Sequence, residues 1–161
     1  MAAIDYFLKI DGVVGESLDS KHKGEIDVES WSWGETHPAP PGQVGGGSGA
    51  GKVQMQDLQV TATVSKASPQ LMLACASGQH FKSAVLTERR GGGAPLEFLT
   101  FSLSDVLVTG YQTGGTEAAP PMDTVSLNFA KIQIEYKELL ADGKLGPSTK
   151  AGWDVKQNKK L

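Results

Sequence analysis

The stretch TVSLNFAKIQIEY, residues 124–136, decides the fold because its apolar side chains change parity halfway along. They occupy odd positions up to Phe129 and even positions from Ile132 onward. Regular alternation of apolar and polar residues is typical of a half-buried β-strand, since successive side chains point to opposite faces. A change of parity needs an extra residue, so the stretch predicts strand structure with a bulge between Phe129 and Ile132.

Two other stretches show the same change. In EIDVESWSWG the shift precedes Trp31 and predicts a bulge near Glu29, and in KVQMQDLQVTATV it falls between Met55 and Leu58. Further strands are predicted near the N-terminus, at about residues 83–89, across LEFLTFSLSDVLVTGYQ and in GWDVKQN. RRGGGAP and TGGTEAAPPMD read as surface connections. Repeated bulges favour strongly curved strands, as in a closed barrel or two tightly packed sheets.

One short helix is predicted between two of these strands. Ser68 is suited to the N-cap, Pro69 to the first helical position and Gly78 to the C-terminal end. The apolar residues expected on its buried face are Leu71, Met72 and Cys75.

Some strands carry apolar residues on both faces. In the first strand, Phe7 points away from the face shared by Tyr6 and Leu8, and Phe98 and Leu107 do the same in a later strand. A half-exposed antiparallel strand is normally polar outside. We therefore expect either that the helix or another copy of the chain covers these residues, or that parity shifts return them to a single core.

Composition limits the function further. A chain of 161 residues with 39% hydrophobic residues is sized for a single domain, residues 1–161, with its own core. A net charge of −3 does not indicate a nucleic-acid or membrane partner. The single cysteine excludes an internal disulfide. The N-terminus has no signal-peptide pattern, so we expect synthesis in the cytoplasm.

The segment GGGSGAGKV contains the spacing of a phosphate-binding loop, from Gly46 to Lys52. Val53 stands where a Ser or Thr hydroxyl must hold Mg²⁺, and strand periodicity follows where a helix is required. A nucleotide-binding module that uses this loop is therefore a minor alternative. The pattern favours a long Gly- and Pro-rich loop at about residues 37–52, and loops of this length are usually functional or disordered.

Residues capable of catalysis are sparse. His22, His37 and His80 lie on different connecting segments without metal-ligand spacing, and we expect them to be solvated. Cys75 is expected to be a buried, inert thiol. Arg89, at the end of a hairpin arm, is expected to keep the strand end soluble. The sequence predicts no catalytic residue, no cofactor and no metal, and so no enzyme.

With its strands placed, the chain resembles the Hcp family, the inner-tube protein of the bacterial type VI secretion system. The resemblance covers residues 3–158 and is carried by DYFLKIDGVVGES, KGEIDVESWSWG, GAGKVQMQDLQVT, SPQLMLACASGQH, LNFAKIQIEY and GWDVKQN. It implies a mainly β fold, a two-sheet β-barrel with one short flanking α-helix. It also implies hexameric rings stacked into a hollow tube. Sheath, tip spike and effector proteins would be its partners, and the tube would be secreted without a signal peptide, to the extracellular space or a target cell.

The resemblance also suggests where assembly and cargo contacts lie. The family uses an extended loop where this chain has its Gly- and Pro-rich segment, which favours a ring-to-ring contact there. The residues of this predicted ring-stacking loop are Pro38, Pro40, Pro41, Gly45, Gly46, Gly47, Gly49, Gly51 and Lys52. If Trp31 and Trp33 point into the core, Ser30 and Ser32 face outward and are the predicted lumen contacts. A phage tail-tube protein is the structural alternative, since it has a similar architecture.

Overall fold

The computed structural model of the chain describes residues 3–38, 52–91 and 95–161. Within these ranges the chain forms twelve β-strands and one α-helix. The strands are β1 Ile4–Ile10, β2 Ile26–Val28, β3 Ser30–Ser32, β4 Glu35–Thr36, β5 Gln54–Met55, β6 Leu58–Thr63, β7 His80–Arg90, β8 Leu96–Thr116, β9 Ala119–Asn128, β10 Lys131–Leu139, β11 Leu145–Asp154 and β12 Lys159–Lys160. The helix, α1, spans Ala67–Ser77. None of the described helical structure is long and apolar enough to cross a membrane.

The long strand β8 organises the sheets. Its first half pairs with β7 on one side and β10 on the other, and its second half pairs with β9. One run of antiparallel strands is therefore β12-β11-β10-β8-β7-β1-β2, and β9, β6 and β3 continue from the second half of β8. The ladder of paired strands does not close, since β2 pairs with β1 and β3 pairs with β6. Glu29 joins these two strands, and its N–H donates to the carbonyl of Thr61 at 2.8 Å.

The three predicted parity shifts are confirmed as breaks in the strands. The chain leaves β9 after Asn128 and enters β10 at Lys131, with the N–H of Ala130 donating to the carbonyl of Ser104 at 2.9 Å. Glu29 separates β2 from β3, and two residues separate β5 from β6. Each break lets a continuous apolar pattern face one core although the strands on its two sides have different partners.

The core lies between the two groups of strands. Leu58, Val60, Val125 and Leu127, from β6 and β9, are almost completely buried. Leu8, Leu86, Leu103 and Val106 contribute from β1, β7 and β8.

Helix α1 differs from its prediction at the N-terminus. Lys66 occupies the N-cap without a side-chain capping bond, so the prediction of Ser68 as the cap is wrong. Ser68 lies inside the helix, buried, and its hydroxyl donates to the buried carboxylate of Asp123 in β9. Gly78 is confirmed at the C-terminal end, where its φ of 68° is left-handed and favours glycine.

The buried face of α1 was also predicted only in part. Leu71 is buried and Cys75 packs against the core as a partly buried side chain, but Met72 is 51% exposed. Ala74 takes the place assigned to Met72. The turn of the helix explains this, because Leu71 and Ala74 are three residues apart and share a face.

The stretch TGGTEAAPPMD was predicted as a surface connection, and residues 113–121 are indeed exposed, but strand pairing continues through most of it. It forms the far end of the antiparallel β8–β9 hairpin, where Gly114 pairs with Met122 and Thr116 pairs with Ala119. The strand pairing was not predicted because glycines and prolines suggested a loop. They are tolerated here because residues 114–121, which include all of them, are exposed.

Candidate functional site

The tryptophans of β3 and the following residues fix the orientation of the predicted lumen residues. Trp31 packs on Phe101 with ring centroids 4.9 Å apart, and Trp33 lies 6.4 Å from Phe101 and 6.5 Å from Phe129. Successive strand residues face opposite ways, so Ser30 and Ser32 point outward, and both are exposed.

The strand register extends these two serines into a wider surface. Ser32 lies opposite Gln59, which lies opposite Ser126, which in turn lies opposite Gly110. Every member of this row, across β3, β6, β9 and β8, is uncharged. The parallel row through Ser30 is also uncharged, and it consists of Ser30, Thr61, Thr124 and Gln112. We call these two rows the neutral face.

Sequence reasoning found the two serines but missed the rest of the neutral face. The alternation in β6 and β9 marks Gln59, Thr61, Thr124 and Ser126 as outward-facing. Pairing between strands distant in the sequence is needed to bring them beside Ser32.

A polar cluster holds one end of the neutral face. The carboxylate of Asp57, between β5 and β6, accepts hydrogen bonds from the hydroxyl of Thr109 and, at 2.9 Å, from the side-chain amide of Asn128. These residues belong to or adjoin three different segments of the sheet, so Asp57 ties β8 and β9 to the chain entering β6. Nothing in the local sequence predicted this contact.

The Gly- and Pro-rich loop begins and ends at a small ladder, β4 with β5, which we call the arm base. Glu35 pairs with Met55 and Thr36 with Gln54, and the N–H of Gln56 donates to the carbonyl of Gly34 at 2.9 Å. Pro38 and Lys52, at its two edges, are exposed. The other predicted stacking residues, Pro40, Pro41, Gly45, Gly46, Gly47, Gly49 and Gly51, lie outside the described residues, as does most of the Gly46 to Lys52 motif.

A groove of about 670 Å³ adjoins the arm base. Val53 and Met55 line one side, and Trp153 of β11 lines another. Its remaining described lining residues are Glu35, Thr36, His37, Ala151, Gly152 and Asn158. The indole N–H of Trp153 is buried and has no hydrogen-bond partner among the described residues.

A cluster of polar and charged side chains covers the face of β1 that points away from the main core. The predictions for His22 and Arg89 are both wrong there. His22 is 7% exposed, stacks on Phe7 at 4.3 Å, and places its ring nitrogens 2.9 Å from Glu25 and 2.6 Å from Glu97. It is therefore not a solvated histidine. Phe7 is covered by this segment of its own chain, not by α1 or by a second copy.

Arg89 is the second residue of this cluster whose environment was mispredicted. It is 6% exposed, with its guanidinium carbon 4.7 Å from the centre of the Phe7 ring. It donates to Asp19 at 2.6 Å and to Asp5 at 3.3 Å. The hydrogen bond from Arg89 holds the pKa of the Asp19 carboxyl well below its usual range. Arg89 thus stabilises the covering segment and does not act as a solubilising strand end.

The other two histidines lie at the surface of the protein. His80 is largely exposed, with its Nδ1 3.0 Å from Asp105, and His37 is exposed beside the arm base. In the part of the chain that the structure describes, no group of three or more His, Cys, Asp or Glu side chains is arranged to hold a metal ion.

The fold places the chain among mainly β proteins with one flanking helix, and sequence comparison gives the family. The family model described as "Type VI secretion system effector, Hcp" matches residues 7–136. The chain therefore belongs to the Hcp family of the type VI secretion system, whose members are secreted, and the predicted resemblance is confirmed.

Individual relatives agree over nearly the full chain. The chain is 45% identical to the protein hcp1 of Pseudomonas aeruginosa over 159 residues, covering 97% of this chain and 98% of that protein. The crystal structure of Hcp1 from Salmonella typhimurium matches with a TM-score of 0.79 at 36% identity, covering 100% of both chains. A structure described as a type six secretion system protein matches with a TM-score of 0.92 at 31% identity, covering 99% of this chain and 100% of that one. These similarities confirm the predicted two-sheet β-barrel with one flanking helix.

Proposed function

We propose that this chain is the structural subunit of a type VI secretion inner tube. Six copies form a ring, the rings stack into a hollow tube, and a contractile sheath drives the tube and its tip spike out of the cell. Effector proteins travel in the lumen, and the whole chain acts as one domain. Family membership supports this proposal, and the neutral face is the structural observation that carries it.

The neutral face suits the wall of a channel for a physical reason. Its hydroxyl and amide groups form hydrogen bonds that are modest in net strength, because water competes for the same groups. A charged or strongly apolar wall would bind some cargo tightly and repel other cargo. The packing of Trp31 and Trp33 on the core holds Ser30 and Ser32 in place, so the wall keeps its shape when cargo passes.

Ser32 provides the test because it lies beside Gln59 within the neutral face. We expect Ser32→Gln to keep the hexamer in native mass spectrometry but to fill part of the lumen wall. Effectors that need the ring for stability are then degraded in the cell while the ring is still exported. Ser104→Gln, at an exposed serine of β8 outside the neutral face, is the matched control.

Two outcomes of this experiment would contradict the assignment. Unchanged effector levels with an intact ring remove Ser32 from the lumen wall. Loss of the ring places Ser32 at a contact between subunits instead.

The ring-stacking role of the loop has its own test. Glycines let one backbone approach another closely, and ordering such a segment costs entropy, so stacking is weak in dilute solution. Replacing residues 45–51 by a short turn is expected to leave rings intact and to abolish tubes and secretion. Normal export of the shortened protein would show that the loop has no part in assembly.

A further inference from the structure

We propose that residues 11–25, which we call the strap, are held over β1 by a proton-dependent clamp. The clamp consists of His22 and Glu25 on the strap and Glu97 of β8. It closes when its side chains hold one proton more than a neutral imidazole supplies, and its state decides whether Phe7 is covered. All of these contacts lie within one chain, so they do not depend on the proposed tube.

The strap connects β1 to α1. It folds back on itself, since the N–H of Gly15 donates to the carbonyl of Gly24 at 2.7 Å. Near its beginning, the side-chain amide of Gln70 in α1 donates to the carbonyl of Val14 at 3.1 Å. Near its end, the strap is held by the clamp. Loss of the clamp therefore frees one side of the strap while the side at α1 stays attached.

Two carboxylates meet the two ring nitrogens of His22. Its Nδ1 lies 2.9 Å from Oε2 of Glu25, and its Nε2 lies 2.6 Å from Oε1 of Glu97. Each contact needs a proton between its two atoms, because both atoms would otherwise present lone pairs to each other. A neutral imidazole has only one N–H. The closed clamp therefore carries a further proton, either on the ring or on a carboxylate.

Burial makes this further proton important. His22 is 7% exposed and the side chain of Glu25 is 13% exposed, so water has little access to their contact. Without the proton, a nitrogen lone pair faces a carboxylate at short range in a buried site, which is costly. The repulsion is relieved when His22 leaves its place. The His22 ring stacks on Phe7 with planes 6° apart, so its departure uncovers Phe7.

Other charged groups lie on every element packed around the clamp. They are Asp11, Glu16, Asp19, Lys21 and Lys23 on the strap, Asp5 and Lys9 on β1, Asp27 on β2, and Arg89 on β7. Arg89 lies 2.6 Å from Asp19 and 3.3 Å from Asp5. Of these side-chain types and those of the clamp, only histidine ordinarily changes charge between about pH 5 and pH 8. The ion pairs of Arg89 thus remain when the clamp opens, and the opening is local.

The direction of the pH dependence follows from the number of bound protons. Once free imidazole is neutral, the closed strap binds one proton more than the open strap, so low pH favours the closed strap. Above about pH 6.5, the ordinary pKa of free imidazole, the equilibrium constant for opening should rise by up to about tenfold for each pH unit. The rise ends when the closed clamp also loses its proton.

Hydrogen exchange of the amides of Gly15 and Gly24, followed by NMR, measures this opening because both N–H groups are hydrogen-bonded within the strap. Rates from about pH 6 to about pH 9 are each divided by the rate of the same segment as a free peptide. We expect His22→Gln to raise opening at pH 6 by about tenfold or more and to remove its pH dependence. His80→Gln is the matched control, since His80 contacts Asp105 at 3.0 Å at an exposed site, and it should behave as the unmodified protein does.

Glu97→Gln separates a proton-dependent clamp from a simple packing role. The amide at this position donates to Nε2 of a neutral imidazole while Nδ1–H donates to Glu25, so the variant closes without the further proton. We expect its strap to stay closed and its opening to be independent of pH. The proposal is overturned if opening of the unmodified protein does not rise with pH. It is also overturned if Glu97→Gln keeps the full pH dependence or is open at every pH.

Discussion

The contact between α1 and the back of the neutral face gives the sharpest stability prediction. The buried carboxylate of Asp123 accepts one hydrogen bond from Ser68 and another, at 2.9 Å, from the hydroxyl of Tyr111. Asp123 is next to Thr124 of the neutral face, so this contact fixes β9 from behind. We expect Ser68→Ala to leave one carboxylate oxygen buried without its donor.

The expected magnitude follows from burial and charge. Hydrogen bonds to charged groups contribute about 1.5–3 kcal/mol, and Ser68 and Asp123 are both at least 96% buried, so water cannot replace the lost donor. Ser68→Ala should therefore lower the free energy of unfolding by about 2 kcal/mol. Tyr111→Phe should cost about 1 kcal/mol, because Tyr111 is only partly buried and water has access. The double variant should lose more than the sum, since it leaves the carboxylate without either donor.

Urea unfolding at fixed protein concentration measures these differences, because assembly makes apparent stability depend on concentration. Ser148→Ala is the matched control, since Ser148 also donates to a carboxylate, that of Glu135 at 2.8 Å, but at an exposed site. It should change the free energy of unfolding by less than about 0.5 kcal/mol. If Ser68→Ala costs no more than this control, the buried contact does not hold α1 to β9 and the reasoning is refuted.

Three further predictions concern pH and backbone packing. Burial, and then the hydrogen bond to Asp123, raise the pKa of Tyr111. Its contribution to stability is therefore complete below about pH 10 and is lost as the pH rises further. Tyr111→Phe should reduce this loss, measured by thermal unfolding at alkaline pH. Arg89 lowers the pKa of Asp19, so the contribution of Asp19 to stability is present above about pH 4 and is lost as the pH falls. Arg89→Met should therefore weaken the dependence of the free energy of unfolding on pH in the acid range. A Cβ at Gly15 would overlap the backbone carbonyl opposite it, so Gly15→Ala should cost about 1–3 kcal/mol, whereas Gly114→Ala, in open space, should not.

The breaks between strands were predictable from sequence, because the apolar residues change between odd and even positions at each break. An apolar residue on the wrong face costs about 1.5–3 kcal/mol of lost burial, so the change from Phe129 to Ile132 must coincide with a break in the strand. The outward direction of Ser30 and Ser32 follows from the same rule. These features depend only on neighbours in the sequence.

The charged cluster around Phe7 could not be predicted because its partners are far apart in the chain. Glu97 comes from β8 and Arg89 from β7. Once β1 has paired with β7, Arg89 contacts Phe7, and Glu97 contacts the His22 ring that stacks on Phe7. A histidine or arginine on a connecting segment is usually exposed. Here, the ion pairs and the aromatic ring offset the loss of solvent, which no local pattern reveals.

The contrast between the two outer surfaces of the barrel argues that the neutral face is more than a by-product of composition. Charged residues make up 20% of the chain, and on the other surface they pair across strands, as Lys150 does with Glu135 at 3.2 Å. The two rows of the neutral face contain no charged residue in eight positions. Random placement at that frequency would leave eight given positions uncharged in roughly one case in six. The uncharged positions are contiguous across four strands, so they form one uninterrupted neutral surface, which is the property that the proposed cargo channel requires.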